Sequence, residues 1–126
     1  MLGDAALVAF VATRDLAASD AFYGGVLGLA LIESSPFANR YDAGGTQLRV
    51  TLVEERAGAE YTVLGWQVDD LDAEIRKLTR AGVLFQRYDG MPQDSSGVWT
   101  APGGARIAWF TDPDGNTLSL QQPPSS

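Results

Sequence analysis

The 126-residue chain contains no cysteine and no histidine. Without thiols there is no disulfide, no thiolate metal ligand and no Cys-His nucleophile. Without imidazole the commonest proton shuttle and the commonest transition-metal ligand are missing together, and no Ser-His pair can form. Basic residues are scarce too: nine Lys and Arg against sixteen Asp and Glu leave a formal charge of −7. That balance argues against a nucleic-acid partner, because neutralising phosphates needs clustered cations, and it is read as solubility rather than as an acidic ligand patch. No stretch approaches the roughly 20 apolar residues that cross a bilayer, and Met1-Leu2-Gly3-Asp4-Ala5-Ala6 has no basic region ahead of an apolar run. A cytoplasmic protein with no membrane partner is expected.

What is present occurs twice. Asp42-Ala43-Gly44-Gly45-Thr46-Gln47-Leu48-Arg49-Val50 reads like Asp112-Pro113-Asp114-Gly115-Asn116-Thr117-Leu118-Ser119-Leu120, an acidic turn opener, a glycine and an alternating strand. Upstream, the apolar run 7–12 precedes Asp15-Leu16 and the run 61–68 precedes Asp70-Leu71, so a strand feeds an Asp-Leu helix start in each half. The repeat divides a single domain, 1–126, into a module over 5–55 and a module over 60–121. In the first, strands are expected near 6–12, 29–34, 38–42 and 46–54. Its helix runs from Leu16 to Leu27, with Asp15 as N-cap and Ser19 and Asp20 toward solvent. In the second, the helix covers 70–81 and strands fall near 61–68, 83–88, 105–111 and 116–121. Residues 56–60 link the two, 89–97 form an irregular insertion able to border a cavity, and 121–126 form a frayed tail.

Asp15-Leu16, Ser19, Phe22-Tyr23 and Val26-Leu27-Gly28-Leu29, followed far downstream by Asp112-Pro113-Asp114-Gly115-Asn116, resemble the vicinal oxygen chelate superfamily of glyoxalases, bleomycin-resistance proteins and extradiol dioxygenases. The resemblance spans about residues 5 to 121. It implies an α+β fold in which two βαβββ modules form an eight-stranded, incompletely closed sheet around a cavity, helices outside. A homodimer is expected as well, since each module alone has little core. A fold of this kind hosts many activities, so function has to be argued from the site.

In metal-using members of that superfamily, one ligand sits in the first strand of each module, seven residues before the helix-start Asp, and another in the last strand. Carried onto this chain, those positions are Val8, Val63, Ser119 and, by the repeat, Arg49. A divalent site needs three or four oxygen, nitrogen or sulfur donors, and this set offers one hydroxyl beside a permanent cation. No metal and no cofactor is therefore expected, which sets aside glyoxalase, extradiol dioxygenase and fosfomycin-modifying chemistry.

What remains is a pocket with a guanidinium at its centre. Strand alternation puts Phe10 with Val8, Gln47 and Thr51 with Arg49, Gly65 and Gln67 with Val63, and Thr117 and Gln121 with Ser119. Such a lining suits a small organic molecule with an acceptor or anionic group. Against this, Arg49 can simply pair with an internal acid such as Glu54 or Asp94. Trp66 is expected in the core. Trp99 is a candidate to close over a ligand, and Phe110 points into the cavity if a two-residue turn at Asp114-Gly115 pairs it with Ser119. Tyr41 and Tyr88 offer phenols, or ordinary strand packing.

Other motifs carry no chemistry. The Asp112–Asn116 loop is too short to wrap a calcium ion, and Gly44-Gly45 and Gly103-Gly104 are turns rather than phosphate cradles. Asp69-Asp70 and Glu54-Glu55 are neighbours on the chain and face apart, so they make poor acid–base pairs. The candidate ligand-binding set is Arg49, Phe10, Gln47, Gln67, Trp99, Phe110 and Ser119, with no catalytic residue assigned. The expected function is metal-independent binding of a small organic ligand, to sequester or sense it, as in the bleomycin-resistance type. One alternative is a metal-independent lyase or isomerase using Arg49 as electrophile, with Ser119, Tyr41 or Asp94 handling a proton. Another is a non-catalytic dimerisation module, its pocket plugged by Phe10, Phe110 and Trp99.

Overall fold

The computed structural model describes residues 1–55 and 58–125, so Arg56 and Ala57 of the expected linker and Ser126 of the tail lie outside the described residues. The fold is α+β and divides into two compact units, Met1–Gly58 and Ala59–Ser126. Each holds one βαβββ module with an open four-stranded sheet.

In module 1 the strands are β1 (Val8–Thr13), β2 (Ala30–Ser34), β3 (Ala38–Ala43) and β4 (Thr46–Leu52), in the order β1-β4-β3-β2 with β1 parallel to β4. Helix α1 (Leu16–Asp20) starts at Asp15, whose Oδ1 accepts from Ala18 N at 3.1 Å. The helix continues as a wider π turn over Ala21–Val26, where Leu27 N donates to Phe22 O at 2.8 Å. One face of the sheet carries Val11, Leu48, Val50 and Tyr41, all buried, while Phe10 on the other face is 63% exposed. Ser19, expected toward solvent, is fully buried and donates to Thr13 Oγ1 at 2.6 Å. Its neighbour Asp20 accepts from the Tyr41 hydroxyl at 2.8 Å. Both polar groups are drawn inward because the strand beneath them presents hydroxyls that need partners.

In module 2 the strands are β5 (Thr62–Gln67), β6 (Trp99–Thr100), β7 (Arg106–Thr111) and β8 (Thr117–Gln122), ordered β5-β8-β7-β6 with β5 parallel to β8. Helix α2 (Leu71–Arg80) is capped by Asp70, whose Oδ1 accepts from Ala73 N at 3.1 Å. Its buried Leu71, Ile75 and Leu78 share a core with Ala108, Phe110, Leu118 and Leu120. Burying each leucine, isoleucine or phenylalanine of this set contributes about 1.5–3 kcal/mol, so truncating Leu71 breaks this packing most directly.

The expected strand over 83–88 is absent. That stretch keeps one sheet-like bond, Gln86 N to Trp109 O at 2.7 Å, and is otherwise held by the side chain of Gln93. The Gln93 amide donates to Gln86 O and Gly97 O at 2.9 and 2.8 Å and accepts from Tyr88 N at 2.7 Å. One side chain thus satisfies backbone groups that a neighbouring strand would otherwise take up, and the edge position goes to Trp99–Thr100. At the other end β8 keeps its ladder as far as Gln122, so order reaches one residue past the expected start of the frayed tail.

Candidate functional site

Each sheet has a face turned to its own helix and an open face, and the cross-strand register decides which residues share them. In module 1 the hairpin between β3 and β4 turns on Gly44-Gly45, both with positive φ (61° and 91°), as a two-residue loop of this hand requires. That turn pairs Arg40 with Arg49, while β1 sets Phe10 beside Arg49 and Val8 beside Gln47. A row Phe10, Arg49, Arg40, Glu33 therefore crosses the open face, with Val8, Gln47 and Asp42 in the next row.

Two guanidiniums stand directly across from one another, an arrangement that repels unless an anion offsets it. Arg40 has one: its Nη2 lies 3.3 Å from Glu33 Oε2, although its Nε is buried without a hydrogen-bond partner. Arg49 is half-buried and, among the described residues, has no carboxylate within ion-pair distance. Neither expected internal partner takes it. Asp94 is occupied elsewhere, its Oδ1 accepting from Ser96 N and Val98 N at 2.9 Å and its Oδ2 lying 4.0 Å from Arg106 Nη2.

Tyr41 is removed from any role beside Arg49. It pairs with Leu48 on the helix-facing side and is fully buried. Burial first, and then the hydrogen bond and charge of Asp20, push its phenol well above the ordinary range, so it stays a neutral structural donor.

In module 2 the register corrects one expectation. Phe110 pairs with Leu118, not with Ser119, and Trp109 takes the place opposite Ser119. The cause is the turn: Asp112 Oδ1 accepts from Asp114 N and Asn116 N at 2.9 Å, and its Oδ2 accepts from Asn116 Nδ2 at 2.9 Å. The carboxylate gathers three donors and closes a loop over 112–116 between the paired Thr111 and Thr117, instead of a two-residue turn. The odd loop length moves Phe110 to the covered face, fully buried with its ring 5.6 Å from that of Phe85. It can neither line nor plug the open face.

That face carries Gly65, Ser119 and Trp109 in one row and Gln67, Gln121, Ile107 and Trp99 in the next. The Trp99 and Trp109 rings are 6.3 Å apart and inclined at 35°, and Tyr88 meets Trp109 edge-on at 5.6 Å. Ser119 Oγ would lie 2.7 Å from a Cβ added at Gly65, so the missing side chain there makes room for the hydroxyl. Trp66 pairs with Leu120, on the covered side, and Val63 falls at the irregularity between Thr62 and Leu64.

The open faces thus carry Phe10, Arg49 and Gln47 in module 1, and Gln67, Trp99 and Ser119 in module 2. Sequence reasoning missed Arg40 and left Trp109 out of the candidate set, while Tyr88, expected to offer a phenol or ordinary strand packing, packs its ring against Trp109. Arg40 was readable from the Gly44-Gly45 turn, which dictates its pairing; Trp109 was hidden by the use Asp112 makes of its carboxylate. Among the described residues no three His, Cys, Asp or Glu come together as a metal-binding group. The positions that the resemblance assigns to metal ligands carry Val8, Arg49, Val63 and Ser119 here, and one hydroxyl beside a permanent cation does not fit a divalent ion.

The family model of the Glyoxalase/Bleomycin resistance protein/Dioxygenase superfamily matches residues 6–120. The chain belongs to this superfamily. Solved structures agree in fold. A superfamily member from Sphaerobacter thermophilus is 25% identical with a TM-score of 0.73, covering 93% of this chain and 95% of its own. An antibiotic-binding protein from Streptomyces sp. CB03234 is 24% identical with a TM-score of 0.70 and 98% of both chains covered. A lactoylglutathione lyase from Agrobacterium tumefaciens is 18% identical with a TM-score of 0.73, covering 94% and 93%. Among curated protein sequences none matches the chain. The superfamily includes both enzymes and binding proteins. Among the described residues no helix is long and apolar enough to cross a membrane.

Proposed function

We propose that this superfamily member is a metal-independent binder of small organic molecules, sequestering or sensing a planar ligand that carries an acceptor or anionic group. The observation that carries the reading is the open face of module 2. Trp99 and Trp109 lie a ring's breadth apart beside the Ser119 hydroxyl, with Gln67 and Gln121 in the adjoining row. Aromatic side chains expose a large apolar surface at little entropic cost, and flanking amides and a hydroxyl fix orientation. Taken by itself, the open face of module 1 is also suited to an acceptor or anionic group, because Arg49 has no carboxylate within ion-pair distance among the described residues and stands across from Arg40. The antibiotic-binding relative is consistent with sequestration as one use of this fold.

A second reading, a metal-independent lyase or isomerase, keeps Arg49 as the electrophile, again because among the described residues it has no ion pair. It has lost two of its three proton carriers, since Tyr41 is buried on the other face and Asp94 closes its own loop. Ser119 alone remains, and a lone hydroxyl without a base is a weak proton carrier.

Tryptophan fluorescence tests the proposal. A library of planar aromatic acids and amides is titrated into protein treated with a chelator, with melting temperature followed in parallel. Saturable quenching with a raised melting temperature is expected, and Trp99→Ala should lose at least tenfold in affinity while melting unchanged without ligand. Hits whose affinity is untouched by Trp99→Ala would contradict the assignment of this face.

A further inference from the structure

Module 2 carries a concavity on the side of its sheet opposite Trp109, between the C-terminal half of α2 and the segments that follow it. Its volume is about 530 Å³, within the range of small-molecule sites. The buried Ile75 and Val83 and the half-buried Phe85 form its apolar base, and Leu84 stands beside them 80% exposed. Arg76, Arg80 and Arg87 line it as well, one third of the nine basic residues in a chain of net charge −7. None of its described lining residues is acidic.

None of the three guanidiniums has an ion pair of its own among the described residues. Arg76 helps to hold the Asp72 carboxyl below its usual range, but that carboxylate is bonded to Arg106. Arg87 is held in place by neutral acceptors, donating to Asp94 O at 2.9 Å and Gln93 O at 3.3 Å. Those bonds fix the fork without neutralising it and leave N–H groups over, while Ser95 and Ser96 add hydroxyls to the same lining.

We infer that this groove is a binding site for an amphiphilic anion, a phosphate or carboxylate head on a compact apolar body. The head meets the arginines and serines, and the body covers Val83, Leu84 and Phe85. The site is independent of the open faces, because it is built on the helix side of the sheet. Neither half of such a ligand suffices: inorganic phosphate leaves the apolar base wet, and a neutral alcohol leaves the guanidiniums without a counter-charge.

Calorimetric titration of the full chain with octyl phosphate, inorganic phosphate and octanol tests the inference, in wild type, Arg76→Gln/Arg80→Gln and Arg49→Gln. Both groove substitutions lie on the exposed side of α2, so the fold is retained, and a melt of each variant checks this. One molecule of octyl phosphate per chain should bind, at least tenfold more tightly than either inorganic phosphate or octanol. The double variant should lose tenfold or more, and Arg49→Gln nothing. Equal binding of octanol and octyl phosphate would overturn the inference, as would no octyl phosphate binding or an affinity unchanged in the double variant. Capture of an oligoglutamate peptide without binding of octyl phosphate would overturn it in favour of a protein partner.

Discussion

At the scale of single residues, Arg49 separates recognition from structure. A buried ion pair leaves a stranded acid when its cation is removed, at a cost of about 3–5 kcal/mol. Among the described residues Arg49 has no such acid, and it faces Arg40 across the ladder, so Arg49→Ala should change unfolding free energy by less than about 0.5 kcal/mol in urea melts. A loss of several kcal/mol would reveal an internal partner. Against a ligand found by screening, Arg49→Lys should cost about 1.5–3 kcal/mol, roughly ten- to a hundredfold in affinity, since an ammonium cannot reproduce the planar fork. A different behaviour belongs to Arg106, which holds Asp72 with bonds of 2.9 and 3.1 Å. The bonded guanidinium keeps the Asp72 carboxyl below its usual range, so the pair adds stability above the unfolded carboxylate value of about 3.9 and loses it as pH falls through the lower folded value. Both side chains are partly exposed, which limits the contribution to about 1 kcal/mol or less. Urea melts of wild type and Asp72→Asn should accordingly differ at pH 7 and converge in strong acid; a gap that persists unchanged there would assign the difference to something other than charge.

At the scale of elements, the π turn after α1 is held by a close approach. A Cβ added at Gly24 would stand 2.9 Å from Asp20 Oδ1, the atom that accepts from the Tyr41 hydroxyl. Gly24→Ala should therefore dislodge Asp20 and cost about 1–3 kcal/mol for the buried hydroxyl donor left without its acceptor. Asp20→Ala should cost a similar amount, and the double variant little more than either; fully additive losses would show that the two act separately. Elements with local signals were legible in the sequence: the Asp15 and Asp70 caps, the apolar stripe of α2 and the Gly44-Gly45 hairpin each follow from neighbouring residues alone. Two features were not. The strand expected over 83–88 has the right apolar content, but the side chain of Gln93 supplies its bonds, and no periodicity announces such a partner. The face carrying Phe110 was misread because a side chain lengthens the 112–116 loop, and a change of one residue in register exchanges faces throughout a strand. The candidate site suffered more than the fold for this reason: a one-residue slip leaves the element list intact and replaces Trp109 by Phe110 on the open face.

At the scale of the whole molecule, the superfamily includes both enzymes and binding proteins, and the donor set Val8, Arg49, Val63 and Ser119 offers a divalent ion one hydroxyl beside a permanent cation. Purified protein should hold no stoichiometric zinc, iron, manganese or nickel by elemental analysis, and chelators should leave its melting temperature unchanged, because Val8 and Val63 offer no lone pair. Each module has a small core of its own, and self-association is a means to cover more surface. Light scattering at micromolar concentration is expected to report a homodimer, and a monomer would remove that expectation while leaving the fold. The central claim is ligand recognition without a metal, and one calorimetric experiment meets it directly. The tightest screening hit is titrated into protein dialysed against a chelator, and again after one equivalent of zinc, manganese or nickel is restored. Equal affinity and one ligand per chain in every titration is the predicted result. Binding that appears only when a metal is restored would contradict it.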